Sequence, residues 1–134
     1  MVFKLSPNSS GGWNEVVLHA FKNNGSNVGA GGGVPVGSLT FDSAHNLYGT
    51  APQGGIVKGG TLGAGVIFKL SQNSTKAWQE TVLHTFSGPD GAGPASGLLF
   101  DSAGKLLGTT ASGGVSNGSA CGGISCGVVF EIKP

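Results

Sequence analysis

The chain repeats itself. Val2-Phe3-Lys4-Leu5-Ser6 returns as Ile67-Phe68-Lys69-Leu70-Ser71 and again as Val129-Phe130-Glu131-Ile132-Lys133. Trp13-Asn14-Glu15-Val16-Val17-Leu18-His19-Ala20-Phe21 returns as Trp78-Gln79-Glu80-Thr81-Val82-Leu83-His84-Thr85-Phe86. Phe41-Asp42-Ser43-Ala44-His45-Asn46-Leu47-Tyr48-Gly49-Thr50 returns as Phe100-Asp101-Ser102-Ala103-Gly104-Lys105-Leu106-Leu107-Gly108-Thr109. The first block recurs at spacings of 65 and 62 residues. Such a period points to a repeat architecture, in which each unit covers its apolar faces by stacking on neighbours.

Composition narrows the class. Only 10% of the 134 residues are charged and 27 are glycine. No Gly-X-Y period is present, so a collagen helix is excluded. The apolar residues stand in compact blocks, unlike those of a disordered chain, and the glycines fall between the blocks, where turns belong. Net charge is +1 with no basic run, so no nucleic-acid partner is expected. No apolar stretch approaches the roughly 18 residues of a membrane span. Met1 opens directly into a strand pattern and no signal peptide is visible. A chain of this kind is cytosolic, already processed, or cut from something longer.

Helical periodicity is almost absent, and strand signals are frequent. Each unit reads as four strands: 2–6 and 66–71, 13–21 and 78–86, 37–41 and 97–100, 46–51 and 105–111. A copy of the first strand closes the chain at 128–133. Asp42-Ser43-Ala44-His45 and Asp101-Ser102-Ala103-Gly104 form the turns between the third and fourth strands, because Asp bonds its own backbone two residues on. Gly104 suits the positive φ of a tight hairpin, and His45 takes that place in the first unit. Both faces of the second strand are apolar, with Val17, His19 and Phe21 opposed to Val16, Leu18 and Ala20. That strand is expected in a sheet covered on both sides. Four antiparallel strands per unit, stacked face to face, describe propeller blades. The excess over a blade of about 40–45 residues lies in glycine-rich loops at 22–33, 53–65 and 113–127.

The blocks resemble the glycine-rich GloVer tandem repeats of large bacterial surface and secreted proteins. The residues that carry the likeness are Val-Leu-His-(Ala/Thr)-Phe at 17–21 and 82–86, Asp90-Gly91, and Asp-Ser-Ala-x-x-Leu-(Tyr/Leu)-Gly-Thr at 42–50 and 101–109. Gly54-Gly55 and Gly113-Gly114, followed by Gly-Val-(Ile/Val)-Phe at 65–68 and 127–130, complete it. The match covers nearly the whole chain and implies export and surface display. The first unit departs at His45 and has no obvious counterpart of Asp90-Gly91.

The fold expected is therefore all-β: two four-stranded antiparallel blade-like repeats, 1–65 and 66–127, with one extra terminal strand at 128–134. Propellers close with about four to eight blades, so two leave apolar faces and strand edges uncovered. Three outcomes follow from sequence: a segment of a longer repeat protein, association with copies of itself into a ring or filament, or a compact monomer closed by another route.

Candidate chemistry is sparse. Cys121 and Cys126, separated by a loop containing two glycines, lie within reach of a disulfide, which fits an oxidising compartment. His19 and His84 read as packed strand residues, because the repeats place no Asp, Glu or Cys beside them in sequence. Glu15 and Glu80 read as residues of an exposed edge. Asp42, Asp90 and Asp101 are weak calcium candidates, short of the six to eight oxygens that Ca²⁺ takes. No phosphate loop, dinucleotide fingerprint or nucleophile elbow occurs, so no catalytic residue, cofactor or enzyme activity is expected. Trp13, Trp78 and Tyr48 could stack on a sugar, although packing of the blades accounts for them better. Asn8, Asn24, Asn73 and Asn117 head Asn-x-Ser/Thr sites in loops, open to glycosylation. The expected role is a non-enzymatic structural element at a bacterial surface, assembling with copies of itself or with further repeats. The alternative is a glycan- or protein-binding propeller module of a larger surface protein.

Overall fold

The computed structural model describes residues 1–21, 31–56, 60, 62–115 and 126–134. Among the described residues there is no helix, and the strands are β1 (Val2–Pro7), β2 (Trp13–His19), β3 (Val36–Phe41), β4 (Leu47–Ala51), β5 (Val66–Gln72), β6 (Trp78–Thr85), β7 (Ala92–Pro94), β8 (Leu99–Phe100), β9 (Leu106–Ser112) and β10 (Val129–Ile132). They form three antiparallel sheets. β1 pairs with β2; β3-β4-β5-β6 is a meander in chain order; β9 carries β10 on one edge and β7 and β8 on the other.

The sheets cut across the sequence units. The meander sheet takes β3 and β4 from the first unit and β5 and β6 from the second, joined through Gly49↔Phe68 and Leu47↔Leu70. The last sheet repeats this join in the same register, with Gly108 opposite Phe130 and Leu106 opposite Ile132. The third strand of the second unit, expected at 97–100, is reduced to β8 at Leu99–Phe100, and β7 precedes it at Ala92–Pro94. Pro94 ends β7 because it has no N–H to give to a ladder. In the gap the Ser96 hydroxyl replaces a backbone partner, accepting from the Thr109 N–H at 2.9 Å and donating to the Thr109 carbonyl at 3.2 Å.

One turn is used four times. Asn8, Asp42, Asn73 and Asp101 each open a type I turn closed by a bulge residue of positive φ. In each, Oδ1 accepts from the N–H groups two and four residues on: Ser10 and Gly12, Ala44 and Asn46, Thr75 and Ala77, Ala103 and Lys105. The positive-φ residue is Gly11, His45, Lys76 and Gly104 respectively, with φ of 80°, 63°, 65° and 76°. The sequence expectation for His45 and Gly104 holds, and Lys76 joins them.

The sheets stack face to face with the meander sheet in the middle. Its Leu47, Ala51, Val66, Phe68 and Leu70 face the first sheet and meet Val2, Leu18 and Phe21 there. Its Tyr48, Ile67 and Phe86 face the last sheet and meet Leu98, Leu106, Phe100 and Phe130. β6 is thus covered on both sides, as its sequence implies, whereas its counterpart β2 is covered on one and leaves Val16 and Val17 exposed. Each stack is seated on a glycine. A Cβ on Gly49 would lie 2.6 Å from Phe68 Cζ and 2.7 Å from Leu39 Cδ2; on Gly108 it would lie 2.5 Å from Phe130 Cζ and 2.9 Å from Leu98 Cδ2. The ring of the first-strand phenylalanine therefore closes on the fourth strand at its glycine.

Candidate functional site

The two outermost sheet faces are where this molecule has surface to offer. Phe3 is opposite Val17 across the first hairpin, Leu5 opposite Glu15 and Pro7 opposite Trp13, so these side chains share one face. That face points away from the middle sheet. Phe3 and Leu5 are 46% and 48% exposed, while Phe68 and Leu70, their counterparts in the repeat, are 0% exposed. At the other end Val129 is 79% exposed and its counterpart Ile67 is 1% exposed. The end faces carry the chemistry of a core without a cover.

A histidine and a carboxylate mark each junction between sheets. His19, on β2, places Nε2 3.0 Å from Glu80 Oε2 on β6. Glu80 is half-buried, not at an exposed edge as its sequence position suggests, and burial pushes its carboxyl up to about 7. Burial, and then the Met1 amino group, pushes His19 down. Glu80 Oε1 and His19 Nε2 have no hydrogen-bond partner among the described residues; the contact is a close approach off hydrogen-bond geometry. His84 Nε2 lies 2.8 Å from Asp90 Oδ2, and Asp90 Oδ1 accepts from both the backbone and the hydroxyl of Ser87. Desolvation raises the Asp90 carboxyl, but these bonds from Ser87 and His84 outweigh it and hold it below its usual value. Both histidines thus have a carboxylate beside them, contrary to the reading from sequence. Each also packs edge-on to a phenylalanine at 4.7 Å, His19 to Phe21 and His84 to Phe86.

The Ser87 hydroxyl donates to Asp90 Oδ1 at 2.8 Å. The calcium candidates Asp42, Asp90 and Asp101 lie in separate turns, their oxygens turned to N–H and O–H donors. No group of three or more metal-ligating side chains occurs among the described residues.

Of the aromatic candidates, Tyr48 cannot stack on a ligand. It is 2% exposed, its ring meets Phe100 at 5.3 Å, and its hydroxyl donates to Asp42 at 2.9 Å. Trp78 packs against the core cluster shared with the first sheet, which leaves Trp13, 66% exposed, as the accessible one. Asn8 and Asn73 head turns through Oδ1, so the Ser/Thr two residues on is explained by turn geometry: Ser10 and Thr75 donate their hydroxyls to the same oxygen at 2.8 and 2.7 Å. Asn24, Asn117 and Cys121 lie outside the described residues, and the expected Cys121–Cys126 pairing with them.

Between β6 and β10 a cleft of about 190 Å³ is walled by Ile67, His84, Phe86, Phe130 and Ile132, with the carboxylates of Asp90 and Glu131 also lining it. No protein-family model, curated protein or solved structure matches the chain.

Proposed function

We propose that the chain is a non-enzymatic structural module whose sheets are blade-like units, and that its end faces stack on further units of the same repeat in a bacterial surface assembly. One observation carries the reading: Phe3 and Leu5 stand open at positions where Phe68 and Leu70 are fully buried. The same residues in the same strand type are core when a neighbouring sheet is present. Burying an apolar side chain of this size contributes about 1.5–3 kcal/mol, and a face carrying several, together with Trp13 and Val17, favours association. The strand order of the middle sheet, third-fourth-first-second in repeat terms, supports the blade-like reading, because it ties each unit to the next. The scarcity of charge and the likeness to GloVer repeats support placement outside the cell. Sedimentation velocity on the chain from about 1 to 100 µM tests the proposal. Association that is lost in the Phe3→Asp, Leu5→Asp double variant, with its circular dichroism intact, is the expected result. A wild-type chain that stays monomeric over the whole range overturns it.

A further inference from the structure

The cleft between β6 and β10 has a counterpart elsewhere in the molecule that is already filled. Val2, His19 and Phe21 of the first sheet hold the places that Ile67, His84 and Phe86 hold around the cleft. Against them lie Trp78 and Val82 in the apolar cluster and Glu80 beside His19, all from β6. In the last sheet no strand lies beyond β10 among the described residues, and the equivalent of β6 is missing there. At the opposite end of the molecule Trp13, Glu15 and Val17 occupy the β6 positions Trp78, Glu80 and Val82, and all three are exposed. The chain therefore presents a filled interface in its middle, an empty socket at one end and a matching plug at the other.

We propose that a second copy of the chain delivers its β1–β2 hairpin to the edge of β9 in place of β10, seating Phe3 on Gly108 and bringing Glu15 to the side of His84, whose Nε2 already meets Asp90. This rests on the stacking reading above and names its partner and register. β2 cannot dock alone by its free edge. Keeping its direction while turning that edge toward β10 would rotate the strand and point Trp13, Glu15 and Val17 away from the cleft. The hairpin has to arrive whole, with β1 in the slot of β10. The register is copied from the middle sheet, where Gly49 opposes Phe68: Val2 opposite Thr109, Phe3 opposite Gly108, Lys4 opposite Leu107 and Leu5 opposite Leu106. β10 holds β9 through those same four positions, Val129 to Ile132, so exchange restores the pairs it breaks. Contacts of this head-to-tail kind build rings or filaments, and strand addition supplies main-chain bonds with side-chain pockets for specificity.

Two charge contacts oppose the exchange, Glu15 beside the Asp90 carboxylate and Lys4 beside Lys105, and the second provides the test. Lys105 contacts Glu131 of β10; after exchange Lys4 takes the place of Glu131 and meets Lys105 as a like charge. Glu131→Lys removes the attraction that holds β10, and Lys4→Glu creates one for the incoming strand. Both side chains are on the surface. Sedimentation equilibrium on the full-length chain and on these two variants, at low ionic strength, is the experiment. Each variant is expected to strengthen association about threefold, in line with the modest coupling of exposed pairs, and the gain shrinks in high salt. A wild-type chain that associates, with both variants associating more tightly, supports the exchange. A wild-type chain that associates while neither variant changes its affinity overturns the exchange but leaves stacking in place. Wild type and both variants monomeric throughout overturn both.

Discussion

Glu80 on β6 sits 3.0 Å from His19 on β2, a contact between sheets that share no hydrogen-bonded strand pair. It has a pH signature. The Glu80 carboxyl, raised from 4.5 to about 7 by burial, binds its proton more tightly in the folded chain than in the unfolded one. Its contribution is complete below 4.5 and is lost as pH rises through about 7. His19 is lowered from 6.5, so its contribution is present above 6.5 and lost as pH falls through its depressed folded value. Urea midpoints between about pH 5 and 8.5 are expected to fall on the alkaline side in the wild type and to stay level there in Glu80→Gln. An identical alkaline decline in that variant refutes the assignment.

The glycine seats set a second expectation. Gly49→Ala places a methyl 2.6 Å from Phe68 Cζ in a region with no exposure. Overpacking of this kind costs about 1–3 kcal/mol, partly offset by the better strand propensity of alanine. Gly108→Ala meets Phe130 and Leu98 in the same way. Both variants should unfold at lower denaturant, and the double variant Gly49→Ala, Phe68→Leu should recover part of the loss. Two neutral alanine variants would show that the rings do not rest on these glycines.

Much of this fold is legible in the sequence because local chemistry determines it. The repeated Phe-Lys-Leu and Val-Leu-His blocks place the strands, and Asp42 and Asp101 place their turns. What the sequence does not reveal is which neighbour each strand takes. A periodic pattern reads the same wherever it is cut, so nothing local says that β4 joins β5 of the next unit rather than a strand of its own. The His19–Glu80 pair was hidden for the same reason, since stacking brings together residues 61 positions apart. His84 and Asp90 are six apart, but only the positive-φ turn through Gly88 and Gly91 folds one back on the other. Tyr48 looked like a ligand-binding ring because its burial comes from Phe100, in the adjacent sheet.

The shared turn separates two kinds of substitution. Lys76 and His45 hold positive φ without being glycine, a strain of about 1–2 kcal/mol per residue. Lys76→Gly and His45→Gly are each expected to raise stability by about 0.5–1 kcal/mol after the entropy of glycine is subtracted. The turn acids should not be equal. Asp101→Ala loses the backbone bonds to Ala103 and Lys105, whereas Asp42→Ala also loses the bonds from the Tyr48 hydroxyl and the Asn46 amide. Those two bonds add about 1–3 kcal/mol. Leu107 and Lys105 stand in the places of Tyr48 and Asn46 in the second unit, so the asymmetry belongs to those two donors. Thermal or urea unfolding of the four variants checks the order, and equal losses at Asp42 and Asp101 would contradict it.

Phe3 and Phe68 allow the cost of a missing neighbour to be measured within one molecule. They share a strand type and flanking residues, but differ in exposure, 46% against 0%. Phe68→Ala removes a ring packed between β4, β5 and the first sheet, and is expected to cost about 3–5 kcal/mol. Phe3→Ala in a dilute monomer loses only partial burial and should cost less than about 1 kcal/mol. With rising protein concentration the wild-type unfolding midpoint should climb while that of Phe3→Ala stays level, since association stabilises the folded chain by mass action. Were the midpoint of Phe3→Ala to climb in parallel with the wild type, this face would have no part in association.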